Sequence, residues 1–176
     1  VVPVATLMQR LAPRDFVDGH SLVLAVGERL DLDATRRRLE RSGYTCVSQV
    51  MQHGEFAVRG SLLDCFPMGS AEPLRIDLLD DEVDSIRTFD PDTQRTRERL
   101  ERVRLLPARE FPLNEEAVSA FRQRYRATFE GDPKASLIYR EVSEGRSPGG
   151  LEYYLPLFFE QTATLFDYLP EGALVL

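Results

Sequence analysis

Cysteine and histidine each occur only twice in these 176 residues, and those shortages exclude much of the usual enzyme chemistry. Cys46 and Cys65 cannot form a disulfide scaffold. With no C-x-x-C pair, the chain has neither a zinc knuckle nor a redox couple. A reducing cytoplasm is the expected setting. His20 and His53 stand in no H-E-x-x-H motif, and no G-x-S-x-G context of a hydrolase serine is expected. The phosphate loop G-x-x-x-x-G-K-[ST] is also missing, so the chain is expected to bind no ATP. No apolar run approaches the roughly eighteen residues of a membrane span, and Val1-Val2-Pro3-Val4 lacks the basic start of a signal peptide. Positive charge is in deficit: 22 Lys and Arg face 29 Asp and Glu, a formal net charge of −7. That balance argues against nucleic-acid binding by the chain as a whole, since phosphate neutralisation needs a cationic surplus. What remains is an ordinary globular composition, 43 % hydrophobic and 29 % charged. No catalytic residue, cofactor or metal is expected.

The chain opens without methionine and closes on Gly172-Ala173-Leu174-Val175-Leu176. The apolar close reads as a buried strand, and the whole as a piece excised from a longer protein.

Periodicity divides the chain. Residues 4–11 have helical spacing that Pro13 ends. Ser21–Val26 reads as a strand, and Asp33 is expected to cap a helix running to Ser42, with Gly43 as its left-handed stop. Thr45–Met51 is rich in strand formers. In 55–59, Phe56 and Val58 alternate with Glu55, Ala57 and Arg59, the period of a half-buried strand. Gly60 marks a kink, bulge or turn, and strand character resumes over Leu62–Phe66. After a loop at 68–73, Leu74, Ile76 and Leu78 alternate with Arg75, Asp77 and Leu79. Asp80-Asp81 suits a hairpin tip, with a returning strand from Val83 to Phe89 and a bulge near Ser85-Ile86. Asp90-Pro91-Asp92-Thr93 is a turn. Residues 95–104 mix five arginines with two glutamates and read, like Arg36-Arg37-Arg38 with Glu40, as a solvated ion-paired helix face. Asn114 caps a helix with Ala117, Phe121, Tyr125 and Phe129 on one stripe. A shorter helix at 135–143 and an aromatic segment at 151–159 follow.

Two clusters invite a sharper reading. Seven acids between Asp77 and Asp92 could hold a hard cation, but the spacing of a calcium loop is absent, and solvated turns explain them better. On the 74–79 strand, Arg75 and Leu79 share the face opposite the core set. An exposed apolar residue on the same strand face as an arginine has the composition of an interface anchor.

The stretch His53-Gly54-Glu55-Phe56-Ala57-Val58-Arg59-Gly60 through Asp64-x-Phe66-Pro67 resembles the UvrB-like module of nucleotide excision repair. So do Leu74-Arg75-Ile76-Asp77, Asp80–Arg87, Gly150–Tyr154 and Leu165–Pro170. Of the two families that share the module, Phe66-Pro67-Met68-Gly69-Ser70 and Leu105-Leu106-Pro107-Ala108-x-Glu110-Phe111-Pro112 look like the transcription-repair coupling factor family. The resemblance implies an α+β fold: a small antiparallel-sheet domain with a packed helix at 19–107. It also implies flanking parts of a RecA-like α/β lobe at 1–18 and 108–176.

By the same resemblance the domain binds UvrA through two arginines and an aromatic residue. These carry over to Arg59, Arg75 and, as a departure from the aromatic, Leu79. RNA polymerase and DNA would be engaged by other domains, and no membrane is involved. Reversing either arginine is expected to abolish UvrA binding and leave the fold intact. The alternative reading is a DNA-binding fragment of a UvrB-type helicase-like protein.

Overall fold

In a computed structural model, residues 3–170 and 172 are described. They form two compact units: Asp18–Arg109, and the described residues on either side of it. The central unit runs one or two residues beyond the expected 19–107 at each end.

Two short helices come first, α1 (Val4–Leu7) and α2 (Arg14–His20). The expected helix over 4–11 is therefore cut short, and α2 was not expected. Pro13 starts α2 instead of only closing what precedes it. Its carbonyl accepts from Phe16 N at 3.1 Å and Val17 N at 3.2 Å, and proline loses nothing at a helix start, where its missing N–H has no partner anyway.

The central unit contains β1 (Leu22–Ala25), α3 (Leu32–Arg41), β2 (Thr45–Cys46), β3 (Glu55–Arg59), β4 (Leu62–Cys65), β5 (Leu74–Leu79), β6 (Glu82–Phe89), β7 (Thr96–Leu100) and β8 (Arg102–Leu105). The cap of α3 is Asp31, not Asp33: the Asp31 carboxylate accepts from Ala34 N at 2.9 Å. Asp33 lies in the first turn, where its charge still suits the helix dipole. At the other end Gly43 takes φ +94°. Tyr44 N reaches Leu39 O and Gly43 N reaches Glu40 O, closing the helix in a Schellman motif. Asp31→Ala should therefore lower stability by about 0.5–2 kcal/mol and Asp33→Ala by clearly less, as read by urea denaturation.

Strands β2 to β7 form one sheet in sequence order, and β1 pairs with β8 in a separate two-stranded ribbon. The sheet is mixed, not purely antiparallel, because β2 runs parallel to β3. Gly60, at φ +60°, sits in a two-residue turn, with Arg59 directly opposite Leu62. Between β5 and β6 the register jumps from Asp77↔Ser85 to Leu78↔Val83, so Asp84 bulges out beside the expected position.

Thr96–Leu100 and Arg102–Leu105 are strands, which corrects the helical reading of 95–104. In β7, Leu100 lies opposite Ile86 and Arg99 opposite Arg87, so the arginine pattern is the period-2 alternation of a sheet.

One sheet face carries Phe56, Leu63, Cys65, Leu74, Ile76, Leu78 and Ile86 into the main core with Leu39 of α3. The other face is covered only at one end, where Val50 packs on Ala57, Phe66 and Phe89. That cover explains why Ala57 is buried and β3 is not a simple half-buried strand.

The second unit is built on α4 (Glu115–Thr128), α5 (Leu137–Ser143), a 3-10 turn (Leu151–Leu157) and α6 (Leu165–Tyr168). Asn114 caps α4 by accepting from Ala117 N at 2.9 Å. Phe121 and Tyr125 anchor an aromatic cluster, with Phe158 at 4.8 Å from Phe121 and Tyr139 at 5.1 Å from Tyr125 between ring centroids. The strand expected at 172–176 lies outside the described residues, apart from Gly172.

Candidate protein-docking face

The margin of that cover, beside Ala57 and Phe89, is organised by a carboxylate. Asp64 points from the middle of β4 to the face opposite the main core, yet its side chain is 0 % exposed. Arg75 stands directly opposite it on β5. Arg75 Nε donates to Asp64 Oδ1 at 2.8 Å and Nη2 donates to Oδ2 at 2.8 Å, a bidentate pair. The same guanidinium donates through Nη1 to Gln94 O at 3.1 Å and lies 4.7 Å from the centroid of the Phe89 ring. Hydrogen bonding to Asp64 holds the Arg75 guanidinium more firmly protonated than usual, against the opposing effect of its partial burial. Arg59, from the end of β3, donates to Asp64 Oδ2 as well, and to Ser48 O at 3.3 Å. No buried side-chain donor or acceptor is left unsatisfied among the described residues.

Two of the three expected docking residues thus meet on one buried acid, which fixes both guanidinium groups. Their exposures differ: the Arg59 side chain is 46 % exposed and that of Arg75 16 %. Leu79 stays apart. It ends β5 four residues beyond Arg75, about 13 Å along the strand, and is 70 % exposed. Asp80 follows it at φ +56°, so the tight turn pins the backbone that carries it. Along β5 between Arg75 and Leu79, Asp77 accepts from Ser85 Oγ at 3.1 Å. The face therefore combines fixed cationic groups with one apolar residue in water.

Asp64 was not anticipated as a site residue. The signal was an acid inside the otherwise apolar strand Leu62–Cys65. Only the register shows which arginines it serves. The pair also changes one expectation: reversal of Arg75 should destabilise the fold, because it would set a carboxylate against a buried carboxylate.

Residues 22–111, just over half of the chain, match the UvrB interaction domain family, and all four residues of this face lie inside the match. The chain belongs to that family. Over its whole length it is also similar to transcription-repair-coupling factors. The protein of that name from Escherichia coli is 51 % identical over 177 residues, covering 100 % of this chain and 15 % of the relative. The one from Haemophilus influenzae is 51 % identical over 99 % of the chain, and the one from Bacillus subtilis 30 % identical over 100 %. The chain thus spans about 15–16 % of the length of the relatives it matches.

Among the described residues no group of three or more His, Cys, Asp or Glu could hold a metal ion. Asp90 instead caps its own turn, accepting from Thr93 N at 2.8 Å, bonds that hold its carboxyl below the usual range. Arg36 pairs with Glu40 at 3.1 Å on the surface of α3. The string Gly145-Arg146-Ser147-Pro148-Gly149 spells the hydrolase elbow, but it joins α5 to a 3-10 turn and no strand leads into it. No described helix is long and apolar enough to cross a membrane.

Cys65 is buried, and that burial pushes its thiol far up. His53 stacks on Phe66 at 3.9 Å between centroids, with Nε2 2.8 Å from Ser70 O. Thiol titration with a chromogenic disulfide at pH 8 should therefore label exposed Cys46 at once and Cys65 only on unfolding. Two fast equivalents in the native protein would contradict this burial.

Proposed function

We propose that this chain is the UvrA-docking module of a transcription-repair coupling factor, recruiting the damage-recognition protein UvrA to stalled transcription complexes. The observation that carries the reading is the face itself. Arg59 and Arg75 are fixed by one buried carboxylate, and Leu79 stands out in water on the same side of the sheet. Pre-organised guanidinium groups lose little entropy on binding, and an apolar neighbour shields an ion pair from solvent. The match to the UvrB interaction domain and the names of the similar full-length proteins support the same reading.

In this proposal the module performs no chemistry. Residues 1–18 and 108–176 are parts of a RecA-like lobe flanking the docking domain at 19–107. RNA polymerase and DNA are engaged by other regions of a full-length coupling factor in the cytoplasm. Titration calorimetry of the chain against purified UvrA is the direct test. Saturable binding at one site per module is expected, and no heat at tens of micromolar would remove the docking role.

A further inference from the structure

The open face carries charge that the three docking residues do not use. The ladder runs Asp64↔Arg75 between β4 and β5, Arg75↔Arg87 between β5 and β6, and Arg87↔Arg99 between β6 and β7. Directly opposed residues share a face, so three arginines stand side by side at the strand spacing of about 4.8 Å. Asp64 compensates Arg75. Among the described residues, Arg87 and Arg99 have no ion pair and no side-chain hydrogen bond. Asp77, the diagonal neighbour of Arg87, receives the hydroxyl of Ser85. Like charges directly opposed on a sheet are unfavourable. Here they occur in a chain whose formal net charge is −7, so the row is not a by-product of basic composition.

We propose that Arg87 and Arg99 form a basic rim that receives an acidic segment of the docked protein, extending the docking face from β5 to the β7 edge. The inference rests on the docking reading above and adds the charge its partner must present. A polyanion such as duplex DNA fits less well. The end of the face that holds Leu79 is bordered by exposed Asp80, Asp81, Glu82 and Asp84, which repel a continuous run of phosphates. A protein surface can set carboxylates over β6–β7 and an apolar residue over Leu79 at once.

Rim charges act mainly on association rate and its salt dependence, not on residence time. The test is binding kinetics of the chain with purified UvrA at about 50 mM and about 500 mM salt. Relative to wild type, R87Q/R99Q should slow association about tenfold at the lower salt, and the difference should collapse at the higher. Dissociation should stay within about twofold. R87E/R99E should deepen the effect, and thermal melts of both variants report whether the fold is kept. L79D separates the two ideas. If L79D loses binding while R87Q/R99Q keeps the wild-type rate and salt slope, the rim is overturned and the docking face stands. If L79D also binds normally, the docking face falls with it. If R87Q/R99Q instead loses salt-dependent binding to a labelled duplex and keeps its UvrA rate, the row serves nucleic acid and the inference is wrong.

Discussion

Arg75→Ala should destabilise the sheet unit by about 3–5 kcal/mol, the cost typical of breaking a buried ion pair from one side. The magnitude follows from what is left behind. The Asp64 carboxylate is 0 % exposed, and without Arg75 it loses both bonds of its bidentate partner. Arg59 alone cannot replace them, since its single bond to Asp64 comes from a side chain 46 % exposed. Phe89 loses the guanidinium 4.7 Å from its ring centroid at the same time. Arg75→Glu should cost more, because it brings a second carboxylate to a site that water cannot reach. Arg59→Ala should cost only about 1 kcal/mol, for its bond is screened by solvent. Urea denaturation followed by circular dichroism orders the three. An Arg75→Ala variant within 1 kcal/mol of wild type would show that Asp64 is not held as described. A practical consequence follows for binding experiments: lost UvrA affinity in an Arg75 variant reports unfolding as much as docking.

The sequence made the central strands legible because their burial follows local period 2. Leu74, Ile76 and Leu78 face the core and Arg75, Asp77 and Leu79 do not, so β5 could be oriented before any register was known. The bulge near Ser85 was legible for the same reason, as a break in alternation. What failed was decided by distant contacts. Ala57 is buried because Val50 folds across the far face of the sheet, and nothing within 55–59 reveals that. Residues 95–105 have arginines and glutamates at spacings compatible with both helix and strand. Pairing of Leu100 with Ile86 across the turn at 90–94 selects the strand. Arg59, Arg75 and Leu79 were named as docking residues through the family resemblance, whereas Asp64 became visible as their organiser only once β3, β4 and β5 were aligned.

On the proposed docking face, Leu79 is the position where a substitution is expected to change binding without touching the fold. At 70 % exposure its side chain contributes little to the core, and surface substitutions of this kind usually shift stability by less than about 0.5 kcal/mol. Its position is nevertheless fixed, since Asp80 at φ +56° turns the chain immediately after it. Burying a leucine side chain fully contributes about 1.5–3 kcal/mol, equivalent to roughly 10–150-fold in Kd. If UvrA covers Leu79, Leu79→Ala should weaken binding by about tenfold or more, chiefly through faster dissociation. Leu79→Phe should hold or strengthen it, because a larger ring buries more apolar area at little entropic cost. Leu79→Asp should bring affinity below detection, because covering a carboxylate there would strip its hydration. All three variants should melt within a degree or two of wild type, so the binding changes cannot be ascribed to unfolding. Equal affinity across the alanine, phenylalanine and wild-type proteins would place the UvrA contact away from the free end of β5.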